Sequence, residues 1–206
     1  MAMKSPRRSA TQANALPVDR FFNRELSRLD FDSRVLSMAE DRSRPLMERI
    51  RFLAIVSDGL DDFFQVRVAG LHEQLMAPVS LTLQDGLTPE EQLNGIGERV
   101  RALVERESAI FAGDIVPGLA EAGVRLVTTN DLTKADRDRL AEVFLERIFP
   151  VLTPLAVDPA HPFPHISNLS LNLAVMVRDP MRHKPRFARV KVPPLLPRFI
   201  GLPDGE

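Results

Sequence analysis

Between Ile50 and Leu71 the sequence IRFLAIVSDGLDDFFQVRVAGL holds the longest apolar-rich run of the chain. Leu53, Val56, Leu60, Phe64, Val68 and Leu71 recur at spacings of three and four, which places them along one side of a helix. Phe52, Ile55, Phe63 and Val66 add apolar groups on neighbouring faces, so this helix is expected to be wrapped by others. The polar break Ser57-Asp58-Gly59-Leu60-Asp61-Asp62 leaves two arrangements open. A glycine inside a helix costs about 1 kcal/mol relative to alanine, so the helix either restarts after Ser57 or Asp58 or runs through. A restart puts Asp61 and Asp62 in a first turn, where the helix dipole favours carboxylates. A continuous helix puts Asp58, Asp61 and Asp62 on one face at i, i+3 and i+4, a face that could hold magnesium.

Helical patterns flank this run. Val18 to Asp41 carries Leu26, Leu29, Val35 and Leu36 as core groups, with a kink or restart expected at Asp30-Phe31-Asp32. Arg44-Pro45 marks a turn, and Pro45 suits the first position of the next helix. The chain loosens from Pro78 to Gly86. Thr88-Pro89-Glu90-Glu91 then combines a capping threonine, a proline at the first helical position and the glutamate of a capping box. Leu93, Ile96, Val100, Leu103, Val104 and Phe111 follow with helical period, and Gly113 is the expected stop. Three such helices with short connections predict a bundle ending near Gly123.

The pattern changes beyond it. Val124 to Val127 reads as a short strand, and Thr133 to Asp136 opens a helix whose Leu140, Val143, Phe144 and Ile148 face inward. After a proline-rich loop from Phe149 to Pro164, Leu169, Leu171, Leu173, Val175 and Val177 alternate with Ser170, Asn172, Ala174 and Met176, a half-buried strand. Phe187 to Val192 repeats the alternation. The predicted fold class is therefore α+β: residues 1–17 a disordered tail, 18–123 an antiparallel helical bundle, and 124–206 a mixed α/β head domain with a meagre, truncated sheet.

Composition narrows the chemistry. The 206 residues carry a net charge of -1, so no overall field draws the chain to nucleic acid or membrane. No cysteine is present, which excludes disulfides and thiol catalysis. No apolar run reaches bilayer-spanning length, and the basic, polar N-terminus lacks the apolar core of a secretory signal. Gly113 to Gly118 has phosphate-loop glycine spacing, but Leu119 and Ala120 stand where Lys and Ser/Thr are needed. Asn94-Gly95-Ile96-Gly97 lacks the third glycine of a dinucleotide fingerprint. His161 and His165 are separated by Pro162 and Pro164, which forbid a helical ligand pair; with Asp158 they read better as loop groups than as a metal site. His72 is placed at the end of the organising helix, where a cation suits the dipole. The basic run Arg182 to Lys191 has two readings. Arg189 and Lys191 on one strand face would suit a polyanion; a charge-protected edge strand is the plainer alternative. No nucleophile and base can be paired.

Four segments, FFNRELSRLDFDSRVL, PLMERIRFLAIVSDGLDDFFQVRVAGL, PVLTPLAVDPAHPFPHISNLSLNLAV and FARVKVPPLLPRF, resemble the polyphosphate kinase family in order and spacing, from about Val18 onward. The resemblance implies a helical N-terminal domain and a head domain. It implies an enzyme that reversibly moves the terminal phosphate of ATP onto inorganic polyphosphate with magnesium, as a dimer or larger assembly in the cytoplasm. The family's phosphorylated histidine and its magnesium-binding groups belong to C-terminal domains, and none of His72, His161, His165 or His183 matches that histidine. Where the family reads SSNLDEFF, this chain reads Ser57 to Phe64, so the asparagine that contacts the adenine end of ATP falls on Gly59, which has no side-chain amide to offer. The family's tryptophan after RELS is Arg28 here, and its usual aromatic after HPFP is His165.

Two functional expectations follow. One is the N-terminal part of a polyphosphate kinase, binding ATP and polyphosphate by resemblance, without catalytic or metal-ligating residues of its own and inactive alone. The other is a non-catalytic assembly module that pairs with itself or with a full-length kinase.

Overall fold

The computed structural model describes residues 20–77, 85–157, 162–178 and 185–202; the N-terminal tail and most of the predicted loop after Met76 lie outside them. The chain divides into two compact units, Met1–Arg125 and Leu126–Glu206.

The first unit is built on α1 (Arg24–Glu40), α2 (Leu46–Asp62), α3 (Ala69–Met76), α4 (Pro89–Ile110) and α5 (Val116–Glu121). α1 starts at Asn23, whose side chain accepts from the backbone N–H groups of Glu25 and Leu26, and it runs unbroken through Asp30-Phe31-Asp32. The expected kink is absent because Asp32 does not compete for backbone: buried, it receives the Nε of Arg28 one turn earlier, at 3.1 and 3.2 Å. Pro45 is the cap residue of α2 rather than its first helical position. Of the two readings of the acidic break, the continuous helix is observed: α2 passes through Gly59 and joins α3 through Phe63–Val68, every junction residue being right-handed helical.

Phe63–Val68 is a π-helical turn, and it changes which phenylalanine is buried. The core row is Leu53, Val56, Leu60, Phe63, Val68 and Leu71, with Phe64 44% exposed. The step of five from Phe63 to Val68 suits the wider π turn, which strict α periodicity does not contain. The same device recurs at Phe111–Ile115, where burial steps from Ile110 to Ile115 while Val104 and Phe111 stay near half exposed. Gly113 lies inside that turn and stops nothing. The helical run ends at Gly123, at φ +87°, where the Val124 N–H reaches the Leu119 carbonyl and the Gly123 N–H reaches that of Ala120. This pair of bonds is a Schellman closure, and the left-handed backbone it needs favours glycine.

Cross-helix pairs fix the directions. Asn23 meets Gln92, Asp30 meets Arg99 and Glu40 meets Arg106, so α1 and α4 run parallel. Ala39 meets Arg49, and Ser57 bonds to Glu107, so α2 runs antiparallel to both. Leu29, Leu36, Val56, Ile96, Leu103 and Ile115 fill the space between them. At the far end Arg49, buried, spans three elements: its Nε donates to the Ala39 carbonyl at 2.7 Å and its Nη2 to Asp114 at 2.9 Å. Hydrogen bonds from Arg42 and then Arg49 hold the Asp114 carboxyl below its ordinary range. A depressed carboxylate contributes stability that is full above its unfolded pKa, about 4, and is lost as pH falls through the lower folded value. Denaturant unfolding followed from about pH 6 to about pH 2 should therefore lose midpoint below the ordinary carboxylate range. Asp114→Asn should flatten the slope there; an unchanged slope would remove Asp114 from the acid response.

In the second unit, α6 (Lys134–Val143) opens with a capping box between Thr133 and Asp136 and runs into the π turn Phe144–Ile148. Leu140, Val143 and Ile148 are half-buried, whereas Phe144 turns out, following the same five-residue step. Val124 to Val127 forms no strand: these residues lead away from the Gly123 closure without a ladder partner among the described residues. β1 (Pro154–Val157), β2 (Asn172–Arg178) and β3 (Pro185–Lys191) make an antiparallel sheet in the order β1-β3-β2. β2 begins three residues later than the alternation predicts, since Leu169 adopts φ 54° and turns the chain. β3 is the central strand, so the charge-protected edge reading is overturned. Arg189 is buried, donating from Nε to Asn172 Oδ1 at 2.8 Å and from Nη1 to the His165 carbonyl at 3.1 Å.

Candidate functional site

Among the described residues of the first unit, shallow cavities of similar size open at several places. One lies beside Phe22, Asn23 and Gln92, at about 410 Å³, and another between Ser57 and Phe111, at about 380 Å³. The third, about 390 Å³, lies over the C-terminal end of α2 and is the one that contains Gly59. Its composition sets it apart. Arg24 and Arg28 enter from α1, one turn apart, and Arg67 from the π turn; Phe63 and Val66 supply apolar surface, and Glu25 and Asp62 supply carboxylates.

Local structure explains the convergence. The Asn23 cap starts α1 so that residues 24, 25 and 28 face α2. The π turn swings Phe63 into the core beneath the cavity and brings Val66 and Arg67 to its rim. The guanidiniums are paired. Arg24 donates to Glu25 at 3.0 and 3.1 Å, Arg67 stands 3.9 Å from the same carboxylate, and Arg28 is tied through Nε to Asp32. Both oxygens of Asp32 lie within hydrogen-bond reach of the same Arg28 nitrogen, Nε.

Gly59 has ordinary helical backbone rather than a left-handed one, so conformation does not require glycine there. A Cβ on residue 59 would lie 2.8 Å from Nη2 of Arg28, so the half-exposed end of that flexible side chain would have to move aside. Arg28 and Gly59, two residues 31 positions apart in sequence, are thus one local arrangement: the guanidinium occupies the place of a side chain at 59.

The other sequence candidates do not join this cavity. Asp58 and Asp61 are exposed on α2 beside it, and among the described residues no group of three His, Asp or Glu side chains is placed to hold a metal. His72 is exposed inside α3, which continues to Met76 and so does not end at the histidine. His165 is exposed in the second unit, while Asp158, His161 and His183 fall outside the described residues. Arg189 serves the sheet and Lys191 is exposed. Periodicity had no means of flagging Arg24, Glu25 and Arg67 as a group. The one local signal was the i, i+4 spacing of Arg24 and Arg28.

Comparison with known proteins gives a consistent assignment. Residues 21–127 match the polyphosphate kinase N-terminal domain and residues 135–206 the polyphosphate kinase middle domain. A polyphosphate kinase of Mycobacterium bovis is 53% identical over 197 residues, covering 96% of this chain and 26% of the relative. One from Mycobacterium leprae is 50% identical over 203 residues, covering 98% of this chain and 28% of the relative. The crystal structure of polyphosphate kinase from Porphyromonas gingivalis superposes with a TM-score of 0.75 at 34% identity, over 92% of this chain and 27% of that one. The chain spans about a quarter of the length of these relatives.

Proposed function

The chain belongs to the polyphosphate kinase family, and on that premise we propose that its 206 residues supply the nucleotide-holding end of an enzyme that moves the terminal phosphate of ATP reversibly onto inorganic polyphosphate. The cavity over Gly59 carries this reading. It lies where the family sequence pattern puts its adenine-contacting residue, and it combines flat apolar surface with hydrogen-bonding groups, the composition expected of a site for a heterocycle. Holding the base anchors the nucleotide remotely from the reacting phosphate, and phosphoryl transfer depends on such positioning together with electrostatic stabilisation. The chemical step belongs to groups outside these residues, so the chain alone binds and does not transfer.

Thermal unfolding with and without magnesium-ATP tests the reading. A ligand that binds only the folded state stabilises it by about 2.7 kcal/mol at one hundred times its Kd, so the midpoint should rise with ATP while a coupled assay detects no polyphosphate formed. An unmoved, cooperative midpoint would reject the nucleotide site. A second reading, an assembly module pairing with itself or a full-length kinase, draws on the exposed apolar row Leu171, Leu173 and Val177. Sedimentation of the chain alone and mixed with a full-length relative separates the two.

A further inference from the structure

Of the polar side chains that line the cavity over Gly59, Glu25 is the buried one. It is 11% exposed, whereas the side chains of Arg24, Arg28 and Arg67 are 73%, 47% and 44% exposed and Asp62 is exposed. Burial decides which of these groups can discriminate. An exposed, flexible side chain exchanges a lost partner for water with little net effect, but a desolvated charge facing the wrong partner is strongly unfavourable. Glu25 is also held in place. Its backbone N–H donates to Asn23 Oδ1 at 3.0 Å in the first turn of α1. Arg24 donates to its Oε1 through Nε and Nη2, and Nη1 of Arg67 stands 3.9 Å from that same oxygen. An ionised carboxylate has about four acceptor sites, so contacts directed at one oxygen leave it able to accept another donor.

We infer that Glu25 is the specificity-determining residue of this cavity, receiving the 6-amino group of adenine. The inference rests on the reading that the cavity holds the base of ATP. Phe63 and Val66 give a purine ring an apolar wall that does not distinguish its substituents. Discrimination among purines then falls to the groups on the ring edge. Adenine carries an amino donor at position 6, where the 6-oxopurines guanine and hypoxanthine carry an acceptor. A buried carboxylate meets the first as acceptor to donor and the second as acceptor to acceptor. The amide of the family pattern at position 59 holds a donor and an acceptor together, and Gly59 supplies neither. Selection for adenine therefore passes from residue 59 to the charged acceptor in the cavity wall.

Calorimetric titration of the 206-residue chain with ATP, ITP and tripolyphosphate at matched magnesium tests this. ITP carries an oxygen where ATP carries the 6-amino group. ATP is expected to bind at least about tenfold more tightly than ITP, the scale of a hydrogen bond to a charged group. Glu25→Gln keeps the side-chain length but can turn a donor or an acceptor to the base, and should bring the two nucleotides to near parity. Glu25→Asp keeps the charge and draws it back by one methylene, and should weaken ATP while leaving ITP nearly unchanged. Circular dichroism reports whether each variant is folded, and if neither is, the unmodified chain's ratio decides. Equal affinities for ATP and ITP in the unmodified chain overturn the inference while leaving the nucleotide site standing. A folded glutamine variant that keeps the unmodified ratio also overturns it, because Glu25 would then only anchor the arginines. Tripolyphosphate binding as tightly as ATP does the same, since the base would contribute nothing. Binding of neither nucleotide removes the inference and the underlying reading together.

Discussion

Phe63→Ala should destabilise the first unit by about 3–5 kcal/mol, the range for truncating a buried phenylalanine, while Phe64→Ala should cost less than about 1 kcal/mol, as surface changes do. The two residues are neighbours with identical side chains, and their rings meet edge to face at 6.1 Å. Only their places relative to the π turn differ: Phe63 is 4% exposed and Phe64 44%. In a unit of this size each kcal/mol moves the midpoint by about 4–8 °C, so the contrast is large against experimental error. Denaturant curves for both variants would measure it. Equal losses, or a larger loss at Phe64, would mean that α2 continues with plain α periodicity and that the cavity over Gly59 is differently lined.

Asn23→Ala should cost about 2–4 kcal/mol, more than the roughly 1 kcal/mol of an ordinary cap. Asn23 is buried, and both ends of its amide are used. Oδ1 accepts from the backbone of Glu25 and Leu26, while Nδ2 donates to Gln92 Oε1 at 3.0 Å and to Asp85 at 2.7 Å. Gln92 is fully buried, so loss of that donor strands an acceptor inside the protein. The informative variant is Asn23→Asp. Aspartate caps a helix as well as asparagine does, yet here its second oxygen would face the Gln92 oxygen and the Asp85 carboxylate. It should be no better than alanine, and Asp85→Asn in the same chain should recover part of the loss. A neutral Asn23→Asp would show that the cap alone matters and that the link from α1 to α4 is not formed. Because Asn23 sets the start of α1, whose first two turns carry Arg24, Glu25 and Arg28, the double variant is also a route to shifting the cavity without touching its lining.

Much of this protein was legible as sequence. The α+β class, the capping box at Thr88, the helix start at Thr133, and most of the row on α2 follow from local rules: side-chain period, proline and glycine preferences, and short-range hydrogen bonds that each segment makes by itself. Even the family is carried by contiguous segments. Tertiary structure decided what depends on more than one segment. Leu60, Phe63 and Phe64 do not say by themselves where a π turn will fall, because the choice between a step of four and a step of five is made by the helices packed around them. The alternation in Phe187 to Val192 gives two faces but not neighbours, so nothing local separates an edge strand from the centre of a sheet or shows that Arg189 is buried. Arg28 and Gly59 read as two unrelated departures from a family pattern. Antiparallel packing of α1 on α2 brings them within contact distance, so that the end of the Arg28 side chain lies where a side chain at 59 would begin.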